Sequence, residues 1–300
     1  MREYREFAMK HIVVATDFSE ASYGAINYAR QLGRYFAAKV LVTHVIDPAR
    51  SPQTNGESPT ALPDRVDAAE DELERIRSSF SFDGIRCYTA VRVGGIREVV
   101  SELIGERNAD LLVIGTSGKG YKNGEGLGSV AEMLLRSVTC PVLTIGKHVR
   151  QDSYENTHER IVLFPTDFSQ LSRAAFAYTV CLTQRMAGRL VLLHVDPTCA
   201  QERESVHEKS FQEFTREVAG PVICEFATRS GDPAGTIVKV SAEMHADFIV
   251  MGVHGTGSPE DKEGERFAFD VIRLARCPVL TLSPGQRAKA FDHLLAVARA

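Results

Sequence analysis

Residues 109–138 read ADLLVIGTSGKGYKNGEGLGSVAEMLLRSV, and this stretch decides the fold. The apolar run at 109–114 is typical of a buried parallel strand, and residues 130–138 have the apolar spacing of a helix. The glycines between them therefore lie in a strand-to-helix loop. In an open α/β sheet such a loop can bind an anion, because glycine lets the backbone approach closely and the N–H groups at the helix start point at the ligand.

The glycines of this loop follow the spacing G-x2-G-x9-G-S, at Gly115, Gly118, Gly128 and Ser129. A flexible loop is the alternative interpretation, and a lone G-x-x-G would favour it. Four fixed positions between a strand and a helix favour a phosphate-binding loop instead. Ser129 adds a hydroxyl group, and Lys119 and Lys122 add positive charge.

The chain also repeats itself. The segment HIVVATDFS at 11–19 returns as RIVLFPTDFS at 160–169, so that Asp17 and Asp167 lie 150 positions apart. Two later segments, at 109–118 and 140–145, return 137 positions further on. Because 300 residues are enough for about two ordinary domains, we assign domain 1 to residues 1–150 and domain 2 to residues 151–300.

Each copy has the same predicted order of elements. In the first copy, strands are predicted at 11–16, 39–46, 86–93, 109–114 and 141–145, and helices at 20–36, 66–80, 96–107 and 130–138. This alternation predicts an α/β fold with two doubly wound, parallel, five-stranded, Rossmann-like sheets in tandem. Ligands bind such sheets at the carboxyl ends of the strands, where the winding reverses. If strands 1 and 4 are neighbours there, Asp17 faces the glycine loop, although Asp17 could instead only cap the first helix.

With these segments in place, the chain resembles a tandem member of the universal stress protein A family, over nearly all of both halves. The nucleotide motif of that family is G-x2-G-x9-G-[ST], which Gly115, Gly118, Gly128 and Ser129 match. The resemblance implies a bound adenine nucleotide, ATP, with AMP or ADP as alternatives and Mg²⁺ left open. It implies contacts of Asp17 with the adenosine part, of Val45 with adenine, of main-chain groups of Ala15, Thr16 and Ile114 with base and ribose, and of the Val130 N–H with phosphates.

The second copy departs from this motif. Gly252 and Gly255 remain, but Glu265 and Arg266 stand at the positions of the last glycine and the serine. A carboxylate beside phosphates in a poorly solvated pocket is repelled by them. We therefore expect the second site to be degenerate, and the alternative is that Arg266 replaces the serine as a phosphate ligand.

Three functions remain open. The first, which we favour, is an ATP-binding stress-response or regulatory protein with its ligand in domain 1. The second is a slow ATP-hydrolysing enzyme, although the chain has no G-x4-G-K-[ST] loop and no evident base for a water, so no catalytic residue is assigned. The third is a ligand-free scaffold. His44 and His194 recur at equivalent strand positions, which favours a packing role repeated with the fold.

Composition restricts the partners. The net charge is -4, which argues against a nucleic-acid surface. The start, MREYREFAMK, has no apolar signal core, and no run approaches the length of a membrane span, so we expect a cytoplasmic protein without a membrane partner. The fifth strands, at 142–145 and 279–282, are short and apolar. Pairing would protect such edges, so we expect the two copies to form an internal pseudo-dimer, with a further homodimer left open.

Overall fold

The computed structural model describes residues 9–50, 61–118, 126–149, 159–197, 204–216, 222, 224–252 and 262–283. The chain divides into two compact units, of which the first spans Met9–Val142 and the second begins at Leu143. Each unit is a layered α/β structure with a parallel sheet, as the sequence predicts.

The elements of the first unit are β1 (His11–Thr16), α1 (Glu20–Phe36), β2 (Lys39–Ile46), α2 (Leu62–Ser81), β3 (Cys87–Val93), α3 (Ile96–Arg107), β4 (Leu111–Gly115) and α4 (Ser129–Ser137). The strands of this sheet are parallel and lie in the order β3-β2-β1-β4. The winding therefore reverses at β1, which lies between β2 and β4. Ile12, Val13 and Val14 of β1 are fully buried, as expected of a central strand covered on both faces.

The next elements are β5 (Val142–Ile145), β6 (Ile161–Pro165), α5 (Gln170–Arg185), β7 (Arg189–Asp196), α6 (Glu204–Thr215), β8 (Cys224–Ser230), α7 (Pro233–Glu243), β9 (Phe248–Gly252), α8 (Lys262–Leu274) and β10 (Val279–Leu282). The boundary between the units falls inside β5. Within the second unit, parallel strands follow the order β10-β9-β6-β7-β8. Both units thus have the same topology.

Two element boundaries differ by more than one residue from the sequence prediction. Strand β4 begins at Leu111 rather than at residue 109, because the Asp110 side chain accepts hydrogen bonds from the amides of Lys10 at 2.7 Å and His11 at 2.9 Å. Helix α2 begins at Leu62 rather than at residue 66. Pro63 lies in its first turn, where a missing N–H costs nothing.

The repeat extends to the backbone conformation. A non-glycine residue in the left-handed region costs of the order of 1–2 kcal/mol, so such residues are held in place by their surroundings. The described ranges contain three pairs of them at equivalent positions of the two copies, with φ of 58° and 62° (Phe18 and Phe168), 52° and 48° (Ala37 and Ala187), and 47° and 52° (Asn108 and His245). Both copies therefore keep the same turns after their first strand, first helix and third helix.

Candidate functional site

The candidate site lies at the carboxyl ends of β1, β2 and β4. In the sheet register, Thr16 is opposite His44, and Ala15 is opposite Ile114. Three of the predicted backbone contacts, at Ala15, Thr16 and Ile114, are therefore neighbours across adjacent strands. Val45 follows His44 on β2 and is half-buried. The strand adjacency on which the site prediction depended is thus present.

Asp17 lies directly beyond β1 and is held by Ser19. Its Oδ1 accepts hydrogen bonds from Ser19 N at 3.1 Å and from Ser19 Oγ at 2.5 Å. Ser19 Oγ accepts in turn from Ser22 N at 3.3 Å, so Ser19 is the N-cap of α1 and Asp17 is not. The other carboxylate oxygen, Oδ2, would lie 2.5 Å from a Cβ placed on Gly118. Asp17 therefore faces the glycine loop, as the strand order predicts.

The two described ends of the glycine loop are tied to β1 and to each other. Ser19 Oγ lies 3.3 Å from the carbonyl oxygen of Ser117. The next carbonyl, that of Thr116, accepts a 2.7 Å hydrogen bond from Gly128 N. A continuous series of contacts thus runs from the Asp17 carboxylate to the residue that precedes α4. The part of the loop at 119–125, with Lys119 and Lys122, lies outside the described residues.

Close approaches within the protein itself require Gly115 and leave little room for a side chain at Gly118 and Gly128. A Cβ on Gly115 would lie 2.7 Å from the backbone carbon of Ala21 in α1, and one on Gly128 would lie 3.1 Å from the Thr116 carbonyl oxygen. A Cβ on Gly118 would meet the carboxylate of Asp17. The sequence interpretation gave these glycines only a role towards a ligand. Their first effect is to let β4, α1 and the start of α4 come together.

The N-terminus of α4 is suited to an anion. Its N-cap is Gly128, and no side chain caps it; α2 and α3 also lack a side-chain cap, whereas Ser19, Ser169 and Asp232 cap α1, α5 and α7. The first-turn amides of a helix have no intrahelical partner and lie at the positive end of the helix dipole. Ser129 is exposed and Val130 is half-buried at this point. Amide groups and a hydroxyl are thus presented at the end of the loop, as expected for a phosphate site.

Phe18 and His44 support the turn after β1; the sequence favoured a packing role for His44 but indicated none for Phe18. Phe18 has a left-handed backbone, and its N–H donates to Thr16 Oγ1 at 3.0 Å. Its ring stacks on His44 with a centroid distance of 4.5 Å. His44 Nδ1 lies 2.8 Å from the Thr16 carbonyl oxygen, which can only accept, so Nδ1 donates.

The second unit repeats this arrangement. The rings of Phe168 and His194 are 4.7 Å apart, and His194 Nδ1 lies 2.9 Å from the Thr166 carbonyl oxygen. The Phe–His pair is present in both units, although the glycine motif is altered in the second. This recurrence favours the packing interpretation of the two histidines. The sequence signal that could have found the roles of Phe18 and Phe168 is the shared TDFS segment followed by a histidine at the same spacing.

Asp167 is bound differently from Asp17. Its Oδ1 accepts from Ser169 N at 2.9 Å and from Ser172 Oγ at 2.5 Å, so a different serine hydroxyl holds the carboxylate. Burial by itself raises the pKa of Asp167, but the hydrogen bonds from Ser172 and Ser169 outweigh it and leave the pKa lowered. Asp167 is therefore a stable carboxylate at neutral pH.

The largest difference between the two units is at the end of the loop after β9, where α8 begins. Helix α8 begins at Lys262, so Glu265 and Arg266 lie inside its first turns, whereas their counterparts in the first unit lie at the start of α4. In an α-helix the Arg266 N–H donates to the carbonyl four residues earlier, and the free amides of the first turn lie two to four residues, about 3–6 Å, before it. Gly252 ends β9, while Gly255 and the rest of 253–261 lie outside the described residues.

Other kinds of site find no support in the described residues. These ranges contain no group of three His, Cys, Asp or Glu side chains that could hold a metal ion. Burial raises the pKa of both Cys140 and Cys277 to about 12, so these thiols are unreactive near neutral pH. In the same ranges, every helix is too short or too polar to cross a membrane.

Comparison with known proteins identifies the family of this chain. The sequence model of the universal stress protein family matches residues 9–146 and 159–283, which contain both copies of the repeat. The chain belongs to the universal stress protein family. It is a tandem member, since two family domains follow one another in one chain.

Individual relatives match either one copy or much of the chain. Universal stress protein MJ0531 of Methanocaldococcus jannaschii is 29% identical over 140 residues, which are 46% of this chain and 82% of that protein. Universal stress protein Rv2623 of Mycobacterium tuberculosis is 29% identical over 187 residues, 58% of this chain and 61% of that protein. The crystal structure of a universal stress protein from Archaeoglobus fulgidus superposes with a TM-score of 0.74 at 21% identity, covering 92% of this chain and 99% of that one. This last likeness concerns the fold.

Proposed function

We propose that the first unit of this universal stress protein binds an adenine nucleotide, ATP, with AMP and ADP as competing ligands, at the carboxyl ends of β1 and β4. Binding would change the shape or the partner choice of the protein in a stress response. Family membership supports the general role, and the geometry of the site supports the ligand class.

One observation carries the proposal. A carboxylate and an uncapped helix N-terminus lie at the same sheet edge, joined by the contacts from Asp17 through Ser19 and Ser117 to Gly128. A nucleotide presents ribose hydroxyls, which donate to a carboxylate, and phosphates, which accept from helix amides. The two ends of the site therefore match the two polar parts of a nucleotide.

The proposed contacts follow from this match. Asp17 would accept hydrogen bonds from the ribose, and the half-buried Val45 would contact the adenine ring. Main-chain groups of Ala15, Thr16, Ile114 and Gly115 would border the base and the ribose. The phosphates would lie against the loop from Gly118 to Gly128 and against the N–H groups and hydroxyl of Ser129 and Val130.

Mg²⁺ commonly binds through substrate phosphates and one or two carboxylates, so it needs no preformed protein cage. We propose binding rather than turnover as the function. Release of inorganic phosphate at a steady rate during the titration described next would favour the alternative, a slow ATPase.

The expected stoichiometry is one nucleotide per chain. In the second unit, α8 already uses the Arg266 amide within the helix, and Glu265 replaces the glycine at the loop end. Calorimetric titration of the full chain with ATP, AMP and ADP measures both the stoichiometry and the preferred ligand. Mass spectrometry of gently purified protein then identifies the nucleotide carried from the cell.

Two equivalent sites would contradict this expectation and make Arg266 a phosphate ligand. The absence of any binding would instead support the scaffold alternative. Replacing Arg266 by Ala is the matched control, because it should leave both the stoichiometry and the affinity unchanged if the second site is degenerate.

Ser19 provides a further test of the Asp17 contact. Replacing Ser19 by Ala removes the hydroxyl that holds Asp17 and approaches Ser117. The loss of one charge-assisted hydrogen bond should weaken ATP binding roughly tenfold, and Asp17→Ala should weaken it at least as much. Ser169→Ala is the matched control, since Ser169 is likewise an N-cap but belongs to the second unit.

Equal effects of the Ser19 and Ser169 substitutions on ATP affinity would show that cap loss, rather than the orientation of Asp17, is responsible. Thermal denaturation of both variants separates the two effects, because each loses one N-cap, a cost of about 1 kcal/mol. Only the Ser19 variant should combine this cost with weaker binding.

The remaining proposals concern organisation. We keep the domain limits at residues 1–150 and 151–300 and propose a cytoplasmic location. We also propose that the copies pair internally through β5 and β10. Both strands are buried along their whole length, and within the second unit Thr144 Oγ1 donates to the Val279 carbonyl at 3.0 Å, which supports this pairing.

A further inference from the structure

Strand β8 is the outer strand of the second sheet. Among the described residues it pairs with β7 alone, so the N–H and C=O groups of its other side face away from the sheet. The strand is seven residues long and reads CEFATRS. An open edge of this length can pair with another chain unless its side chains prevent it.

The charged side chains of β8 are complementary to those of a second β8 strand that runs antiparallel to it. If two copies of β8 pair antiparallel with Ala227 opposite Ala227, Glu225 of each chain lies opposite Arg229 of the other. Two ion pairs then form on one face of the joined sheets. Opposite charges directly across an antiparallel pair stabilise it, whereas like charges destabilise it.

The described positions of these side chains fit this pairing. Glu225 and Arg229 are both exposed, and they share a face because they are four residues apart in a strand. Glu225 also pairs with Arg189 of β7 at 2.7 Å, so its carboxylate lies toward the inner neighbour of the edge strand. An arginine of another chain would approach this carboxylate from the opposite, open side.

The other face of β8 carries an exposed aromatic ring. Phe226 is 47% exposed, and its ring packs on Phe211 of α6 at 4.9 Å. In the same antiparallel register, Phe226 lies opposite Thr228, and the two Phe226 rings are diagonal neighbours. Aromatic side chains can reach one another across such a diagonal. Pairing would therefore cover the apolar surface as well as the polar edge.

The corresponding edge of the first unit lacks this pattern. Strand β3 reads CYTAVRV, and its antiparallel self-pairing about Ala90 would place Arg92 opposite Tyr88 without an acid. Pairing of β3 with β8 would use two different surfaces and generate an open chain of molecules, whereas β8 with β8 closes as a two-fold dimer. The charge pattern thus distinguishes β8 as the self-complementary edge.

We propose that this universal stress protein forms a homodimer by antiparallel pairing of β8 with β8 of a second copy, in the register that places Glu225 opposite Arg229. The interface is independent of the nucleotide site in the first unit. A seven-residue strand pair with its flanking helices is a small contact, so the dimer exchanges with monomer as the concentration changes.

The test uses the full chain and two charge variants. Arg229→Glu makes the edge acidic at both positions, and Glu225→Arg makes it basic at both positions. Sedimentation velocity over a wide concentration range should show association of the wild-type protein. Each variant alone should associate at least about tenfold more weakly, since both ion pairs become repulsive. An equimolar mixture should restore a one-to-one dimer.

The mixture separates repulsion from misfolding. A variant that had lost its structure would not regain association on mixing, and far-ultraviolet circular dichroism checks each chain alone. Arg92→Glu on β3 is the matched control and should leave association unchanged.

Four results would overturn the proposal. The wild-type protein could stay monomeric at all concentrations, or Arg229→Glu could leave its association unchanged. The mixture of the two charge variants could fail to associate, or the Arg92→Glu control could lose association. If the wild-type protein is monomeric but a chain ending at Ser283 associates, the segment 284–300 covers the edge, which also excludes the second copy as its natural occupant.

Discussion

Replacing Gly128 by Val should abolish measurable nucleotide binding by the first unit. A Cβ at this position would already lie 3.1 Å from the Thr116 carbonyl oxygen, and the two methyl groups of valine need more room. The Gly128 N–H to Thr116 hydrogen bond, 2.7 Å long, would then open and move the first turn of α4 away from β4. We expect ATP affinity to fall at least about a hundredfold, or about 2.7 kcal/mol, in calorimetric titration.

The control for Gly128→Val is a glycine with space around it. A Cβ on Gly105 of α3 would meet nothing within 4 Å, so Gly105→Val changes the same residue type without a steric conflict. Its ATP affinity should equal that of the wild-type protein. Wild-type affinity in the Gly128 variant as well would mean that phosphates do not bind at the start of α4, and the assignment of Ser129 and Val130 would fail with it.

The elements with strong local signals were predicted correctly. The bounds of β1, α1, β2 and α3 agree with the structure, since continuous apolar strands, a serine N-cap and clear helical periodicity all fix them locally. The start of β4 was wrong because the Asp110 side chain binds two amides of a segment a hundred positions away. No local pattern contains that information.

Some features of the candidate site could likewise be predicted from the sequence, and others could not. The approach of Asp17 to the glycine loop follows from strand order, which the alternation of elements predicts. The role of Ser19 does not, because it depends on which of several nearby hydroxyls reaches the carboxylate, and in the second unit Ser172 takes that place. The left-handed turn at Phe18 was also missed, since an aromatic residue seldom adopts that conformation and its supports, the Thr16 hydroxyl and the His44 ring, are visible only in the folded chain.

Asp247→Ala should be strongly destabilising, and more so than the loss of a helix N-cap. Asp247 accepts from Arg160 Nη1 at 2.7 Å and from Ile161 N at 2.8 Å, and both charged side chains are about nine-tenths buried. Removing the acid takes the Asp247 carboxylate away from a largely buried arginine and from the Ile161 amide. We expect the free energy of unfolding to fall by about 3 kcal/mol, measured by urea denaturation.

Asp110→Ala is the matched variant, because Asp110 has the same place in the first unit and binds the amides of Lys10 and His11. Because these hydrogen bonds of Asp110 involve no arginine, Asp110→Ala should lower the free energy of unfolding by only about 1–2 kcal/mol. The double variant Arg160→Met with Asp247→Ala decides between the two explanations. If the buried guanidinium causes the larger effect, removing it together with its acid should recover part of the lost stability. A double variant less stable than Asp247→Ala alone would show instead that Arg160 stabilises the second unit by its own packing, with the carboxylate acting mainly on the Ile161 amide.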